Sequence, residues 1–440
     1  KDSIKKANEI ILATDDDREG EAIAWHICKE FNLDINTTKR IIFHEITKKA
    51  ILKAIQTPTI INLNKVYSQQ ARSILDLIVG YKITPFLWEN ISRNSKNKLS
   101  AGRCQTPALR IIYDREKEIQ LSKPKKVYEN FRNFYQKKIE FKLNKNFKKE
   151  STAKSFLDKS IKHKHILSKK NKKIITKHPP IPFTTSLLQQ KSSNSLNFSP
   201  KQTMRYAQNL YEGGFITYMR TDSKSYSPEF IKNAETYIND KWGGKYVSKK
   251  LKTITNGNKN QKKDDNAQEA HESIRPTNLK AHIEEKDKIG PREIKLYKLI
   301  WNNTIESCMS SATYKTISSS ISSPEKPVYK NTEELVIFPG WKIVRGYEEN
   351  NEKYDYLLSI KEGTAIIMNF IESKVTIKDL KPHYSEAKLV QLLEKKGIGR
   401  PSTFSSLVEK IQEREFIKKQ DVEGKFIKCV NFKLENDLIT

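Results

Sequence analysis

Ile10-Ile11-Leu12-Ala13-Thr14-Asp15-Asp16-Asp17-Arg18-Glu19-Gly20-Glu21 is the stretch that decides the architecture. Four apolar residues in a row suit a short strand inside a parallel sheet, where both faces are covered. The run empties into three aspartates, and then the period changes. Residues 19–31 carry Ile23, Ile27 and Phe31 at helical spacing, which predicts a helix with those three on one face. A second short strand at 41–43 and helix-like residues from 47 to 55 repeat the alternation, so a small α/β unit with parallel strands is expected. Such sheets gather functional groups at the C-terminal ends of their strands. Asp15 and Asp17 leave the first strand at that end, and Glu19 completes an Asp-x-Asp-x-Glu cluster. Oxygen donors of this kind suit Mg²⁺, which keeps several waters and uses few carboxylates. Acidic residues also favour helix N-termini for their own sake, so the cluster alone leaves both readings open.

A second string lies near the middle of the chain: Gly213-Gly214-Phe215-Ile216-Thr217-Tyr218-Met219-Arg220-Thr221-Asp222-Ser223. In an extended segment Tyr218, Arg220 and Asp222 project from one face. A phenol, a cation able to grip a phosphate at two points and a carboxylate would then stand side by side. Taken singly, a tyrosine in such a window is more often a packing residue.

The two strings together resemble the type IA DNA topoisomerases, and closely the bacterial topoisomerase I branch, over essentially the whole chain. The resemblance implies a multidomain chain of α/β, α and β parts: a partial Toprim metal-binding domain, helical domains and a β-rich arch, arranged as a torus. It implies Tyr218 as the nucleophile, with Arg220, Asp222, His271 and Glu19 as further catalytic residues, and Asp15, Asp17 and Glu19 as ligands of Mg²⁺. His271 enters through the string Gln268-Glu269-Ala270-His271-Glu272-Ser273-Ile274-Arg275-Pro276, in which Arg275 reads as structural support. A free phenol has a pKa near 10 and needs neighbouring cations to act as a nucleophile. A phosphotyrosine intermediate splits strand breakage into two transesterifications, so resealing needs no nucleotide. No Gly-x-x-x-x-Gly-Lys-[Ser/Thr] loop occurs in the sequence, in keeping with an ATP-independent reaction.

Three further strings look like a single-strand groove. Gln69-Gln70-Ala71-Arg72 is followed at helical spacing by Asp76 and Tyr81. Ser100-Ala101-Gly102-Arg103-Cys104-Gln105 sets small residues beside a cation and an amide. Gly397-Ile398-Gly399-Arg400-Pro401-Ser402-Thr403 reads as a helix end, a tight turn and a new helix start. By themselves these are caps and turns. With the resemblance, Arg72, Asp76, Tyr81, Ser100, Arg103, Gln105, Arg400, Ser402 and Thr403 become expected DNA contacts, phosphate donors beside backbone N–H groups. Ser73 and Leu77 stand where relatives that read cytosine upstream of the cut carry arginine, which leaves that preference open.

Periodicity gives an α/β, helical, β, helical, β, helical order, and the resemblance implies a domain for each of these six segments. Residues 1–61 form the partial Toprim domain, 62–123 the first part of the helical groove domain and 124–177 the first part of the arch. Residues 178–310 form the tyrosine domain, opening at the stiff His178-Pro179-Pro180-Ile181-Pro182 boundary, with a Lys- and Asn-rich loop at 249–265. Residues 311–377 return to the arch and 378–440 to the groove domain. Family enzymes begin with a strand ending in glutamate and often end in a zinc-ribbon region. Neither is recognisable here, which reads as a fragment with impaired relaxation but retained single-strand binding.

Composition narrows the partners. The 440 residues carry a formal charge of +29, which points to a polyanion, although abundant Lys, Asn and Ile also accompany AT-rich genomes. The four cysteines are widely separated and form no Cys-x-x-Cys pair, which argues against zinc and a disulfide framework. No stretch is apolar enough to span a bilayer. DNA without membrane or nucleotide, a monomer and a DNA-associated cytoplasmic setting are the resulting expectations. The rivals are a topoisomerase III-like decatenase, a DNA-binding protein with decayed catalysis, and a Toprim primase or nuclease. The decatenase branch usually has Tyr-Pro-Arg-Thr-Glu where this chain has Tyr-Met-Arg-Thr-Asp. Phosphatases of the haloacid dehalogenase type share the strand-then-Asp-x-Asp shape but not the tyrosine string.

Overall fold

The computed structural model describes residues 2–91, 99–133, 139–169, 172–251, 272–281, 289–367, 369–424 and 426–440. His271, the polar insertion at 94–97 and most of the 249–265 loop lie outside these residues. The chain forms two compact units, each assembled from three separate segments: Lys1–Asp114, Pro180–Cys308 and Tyr384–Gln420 in one, Arg115–Pro179, Met309–His383 and Asp421–Thr440 in the other.

The first unit begins with the expected strand–helix alternation. Strands β1 (Ile11–Leu12) and β2 (Lys39–Arg40) pair in parallel, Leu12 opposite Arg40. Both are shorter than the sequence suggests, and β2 precedes the expected 41–43. Helix Arg18–Phe31 follows β1 but turns a different face inward. Ile23 is exposed, while Ala24 and Cys28 are fully buried against Leu12, Ile61 and Val66. Periodicity misjudged the face because the buried side carries Glu21, a charge satisfied by a partner from another element. Thr47 caps the helix Lys48–Gln56 by accepting from the Ala50 N–H. A single 28-residue helix, Leu63–Asn90, runs on from there.

Four helices of this unit surround the tyrosine string: Thr185–Leu196, Pro200–Glu212, Pro228–Trp242 and Pro291–Cys308. Ser199 and Gln202 close a reciprocal capping box at the start of Pro200–Glu212. Their core includes Leu188, Tyr206, Leu210, Ile216, Tyr218, Ile274, Leu296 and Ile300. Helices Gln105–Leu121, Glu386–Lys395 and Phe404–Glu413 share a smaller core of Ala108, Leu389, Val390, Leu393, Phe404, Val408 and Ile411.

The second unit is one nine-stranded sheet. Its strands are β3 (Lys125–Asn133), β4 (Glu140–Leu143), β5 (Leu167–Lys169), β6 (Lys173–Lys177), β7 (Ala312–Ile321), β8 (Tyr329–Phe338), β9 (Phe370–Lys378), β10 (Phe432–Glu435) and β11 (Leu438–Ile439). The order is β11-β10-β9-β3-β4-β8-β7-β5, with β6 also pairing β7. Helix Glu150–Ile161 packs Phe156 and Leu157 into the core of this unit beside Phe141, Leu143, Tyr329 and Ile371. The expected limits of the helical groove domain shift here, because residues 115–123, 378–383 and 421–440 all fall in this unit. Residues 421–440 were assigned to the helical groove domain, yet β10 pairs with β9 through Phe432–Ser373 and Leu434–Ile371. Their short alternating apolar pattern finds a pairing edge that local sequence does not announce.

Candidate active site and nucleic-acid cleft

The acidic loop is held in place by a buried ion pair. Arg40 of β2 and Glu21 lie 3.1 Å apart at 0% and 1% side-chain exposure. Arg40 also donates to the Asp15 carbonyl over 2.9 Å, and Glu21 accepts from the Asn62 N–H over 2.6 Å. One pair thus ties the loop, the helix behind it and the start of Leu63–Asn90. Asp17 is the cap of Arg18–Phe31, its Oδ1 accepting from the Gly20 N–H at 2.7 Å. The turn is so tight that a Cβ on Gly20 would stand 2.1 Å from the Asp15 carbonyl oxygen. Only glycine fits there.

The tyrosine string is not part of a strand. It is an irregular segment wedged between two others, with an isolated bridge from Ile216 to Pro276. The Thr217 N–H donates to the Arg275 carbonyl (2.9 Å), and the Tyr218 N–H to that of His44 (2.8 Å). Alternation still operates locally, because Tyr218 and Arg220 both turn toward Asp17. The Tyr218 hydroxyl donates to Asp17 Oδ2 over 2.6 Å, and Arg220 Nη1 lies 3.5 Å from the same oxygen. Burial, reinforced by the Asp17 carboxylate, pushes the Tyr218 phenol well above its ordinary range. The string's third member stays apart: Asp222 is partly exposed and makes no hydrogen bond or ion pair among the described residues.

Burial and then the charge of Asp17 raise the Asp15 carboxyl, the signature of negative charge in excess. Glu19 points elsewhere. Its Oε1 lies 3.6 Å from Arg72, and its Oε2 is buried without a hydrogen-bond partner among the described residues. Among those residues no group of three His, Cys, Asp or Glu side chains is gathered closely enough to hold a metal ion. Of the expected ligands, Asp15 and Asp17 are the pair of carboxylates that could hold a metal ion together.

Sequence reasoning missed two residues here, Asp16 and Arg40. Asp16 is buried and pairs with Lys65 at 3.0 Å, with His44 Nδ1 at 3.8 Å. Arg40 carried no sequence signal beyond its place before an apolar run. Arg275 behaves as the expected support, forked onto Glu272 through bonds of 2.9 and 2.6 Å, 3.2 Å from Glu45, and over the Phe230 ring.

Beside this centre, Arg18, Arg72, Arg103, Cys104, Arg400 and the turn Gly397 to Gly399 line a cleft of about 310 Å³. Three of the expected contacts, Arg72, Arg103 and Arg400, thus converge from distant parts of the chain, and Arg18 joins them. Arg103 donates to Asp76 over 3.1 Å. Gln105 donates to the Ser100 carbonyl and hydroxyl, at 3.1 and 3.0 Å, and neither of these two expected contacts lines the cleft. Thr403 accepts from the Arg400 N–H over 2.8 Å, holding the turn. Ser402 and Tyr81 are not among the lining residues, and Tyr81 is 78% exposed.

A family model described as DNA topoisomerase matches residues 60–430, and one described as Toprim domain matches residues 1–46. The chain belongs to the DNA topoisomerase family, in its type IA topoisomerase I branch. DNA topoisomerase 1 of Buchnera aphidicola subsp. Schizaphis graminum is 41% identical over 435 residues, covering 95% of this chain and 48% of that protein. DNA topoisomerase 1 of Campylobacter jejuni is 40% identical over 437 residues, covering 95% and 60%. The solved structure of full-length topoisomerase I from Thermotoga maritima superposes with a TM-score of 0.79 at 35% identity, covering 95% of this chain and 68% of that one. The chain spans about half the length of the curated relatives it matches.

Proposed function

We propose that the chain carries the strand-cleaving and strand-rejoining centre of a topoisomerase that relaxes negatively supercoiled DNA without ATP. The observation that carries this reading is the 2.6 Å hydrogen bond from Tyr218 to Asp17, with Arg220 against the same carboxylate. Tyr218 Oη attacks the scissile phosphorus, and the bond from phosphorus to the 3′-oxygen breaks. The phenolic proton passes to Asp17, and the 3′-oxygen takes a proton from solvent. Arg220 steadies the charge that builds on the phosphoryl oxygens. The product is a 5′-phosphotyrosyl link. A second strand passes through the gap, and the 3′-hydroxyl reverses the reaction. Because a phosphodiester is exchanged for a phosphodiester, no external energy is consumed.

Tyr218 and Asp17 are both buried, at 3% and 2% exposure. A phosphate therefore reaches the phenol only after the tyrosine segment parts from the acidic loop. Asp15 and Asp17 would hold Mg²⁺, and a bound Mg²⁺ would offset their charge beside the incoming phosphate. His271 and Asp222 are carried as further catalytic residues on family resemblance alone. The arginine cleft would take the single-stranded segment of a monomeric, DNA-associated cytoplasmic enzyme.

Tyr218→Phe in the full-length protein tests the reading. The variant should yield no covalent DNA adduct on a denaturing gel while binding single strands within about twofold of the parent, since only one hydroxyl is removed. An adduct from the variant would remove Tyr218 from the role.

A further inference from the structure

The positive charge is unevenly spread. Residues 115–179 hold 21 Lys and Arg against 6 Asp and Glu, an excess of 15 and about half of the net +29. Part of that excess is gathered at one end of the sheet of the second unit. Lys145, after β4, and Lys159, on helix Glu150–Ile161, both reach Glu325 in the β7–β8 connection, at 3.6 and 3.1 Å. One carboxylate thus serves two ammonium groups, and the neighbouring lysines hold its carboxyl below the usual range. The next stretch of chain is pinned to the same connection. His163 Nε2 lies 3.1 Å from the Ser322 hydroxyl, which also accepts from the Ile166 N–H at 2.8 Å, and the Ser322 N–H donates to the Ile166 carbonyl at 3.0 Å. This brings up Lys162 and Lys164, and the connection itself adds Lys326. These three are exposed and make no ion pair among the described residues. Besides Glu325, the acids nearest in sequence are Asp158, exposed on the helix, and Glu150, which faces the Tyr128 hydroxyl.

We infer that this cationic end of the β-rich unit is a docking surface for the phosphate backbone of duplex DNA, separate from the arginine cleft. The aromatic residues beside it are turned inward, Phe147 at 6%, Phe156 at 1% and Tyr128 at 6% exposure, so no platform is offered for stacking unpaired bases. What remains is a set of ammonium groups on exposed lysines of a helix and its neighbouring turns, which suits a regular array of phosphates and reads no sequence. The inference rests on the DNA reading above, but its test involves no cleavage and fails separately from the capture assay on Tyr218.

The test replaces Lys145, Lys159, Lys162 and Lys326 together by Glu, and in a parallel variant by Gln. Binding of a labelled duplex of about 30 base pairs is titrated over a range of KCl with EDTA present, long enough to cover several phosphates on each strand. Both variants should show a plot of log affinity against log salt shallower by about 3 to 4 than the parent, roughly 0.9 per lost contact. Binding of a short single strand should stay within about twofold, because its groove is elsewhere. Should the Glu set not fold, the Gln set decides. An unchanged slope in a folded variant overturns the inference. So does loss of binding to anionic phospholipid vesicles with duplex binding retained, which would make the partner a membrane surface.

Discussion

Tyr218 and Asp17 are 201 positions apart in sequence and meet through a 2.6 Å hydrogen bond between nearly inaccessible side chains. The same carboxylate also caps the helix behind it through its other oxygen. One residue therefore fixes the Tyr218 hydroxyl and starts a helix, and in the mechanism proposed above it also receives the phenolic proton.

These duties can be separated. Asparagine caps about as well as aspartate but cannot take a proton, so Asp17→Asn should keep its melting temperature while forming adduct about 10²-fold more slowly or worse. Asp17→Ala should in addition lose about 1 kcal/mol from the missing cap. Adduct formation by Asp17→Asn at the parental rate would assign the proton to another acceptor.

Arg40→Met removes one member of the ion pair that anchors the acidic loop. Leaving Glu21 buried and uncompensated should cost about 3–5 kcal/mol. Urea unfolding of this variant beside Arg40→Met/Glu21→Leu checks the cause: the double variant should recover much of the loss. If the single variant is as stable as the parent, the pair does not anchor the loop.

Arg72, Arg103 and Arg400 approach the cleft from three parts of the chain. Each change to Ala should weaken single-strand binding and reduce its salt slope by about 0.7, whatever the oligonucleotide sequence. Sequence-dependent losses would mean base contacts rather than phosphate contacts.

His165, in the second unit, lies between the carbonyls of Ser322 and Ser160, at 2.9 and 3.3 Å. Burial, aided by the nearby Arg132 charge, lowers its pKa from 6.5 to about 4. The unfolded chain takes up this proton near 6.5 and the folded chain only near 4. The contribution is therefore complete above pH 6.5 and is lost as pH falls toward 4. Thermal melts from pH 7 to 4 should show a smaller loss for His165→Gln than for the parent. Parallel profiles would contradict the assignment.

Much of this was legible because local chemistry and function coincided. The Asp-x-Asp-Arg-Glu-Gly run and the Tyr-Met-Arg segment each combine a backbone requirement with a chemical one, and the structure brings Asp17, Tyr218 and Arg220 together. What was hidden depended on distant partners. Periodicity placed Ile23 inside, whereas the helix buries Glu21 because Arg40 arrives from β2. The helix Glu150–Ile161 was lost among lysines, although Ala153, Phe156, Leu157 and Ser160 keep a buried helical stripe. The sequence pattern leaves 421–440 with the helical groove domain, because what makes β10 a strand is the β9 edge it pairs with. Arg18 in the cleft was passed over beside the acidic residues it follows.

The threading of the sheet has a consequence for the nascent chain. β3 lies between β4 and β9, and β9 arrives roughly 240 residues after β3, with β10 later still. At typical translation speeds of about 5–20 residues per second, β3 leaves the ribosome about 12–50 s before its second neighbour exists. During that interval one side of β3 is an open edge, a template for pairing with the wrong chain. Lys125 and Lys126 at its start serve a purpose unrelated to DNA during that wait, since like charges on an edge discourage a second copy from adding to it.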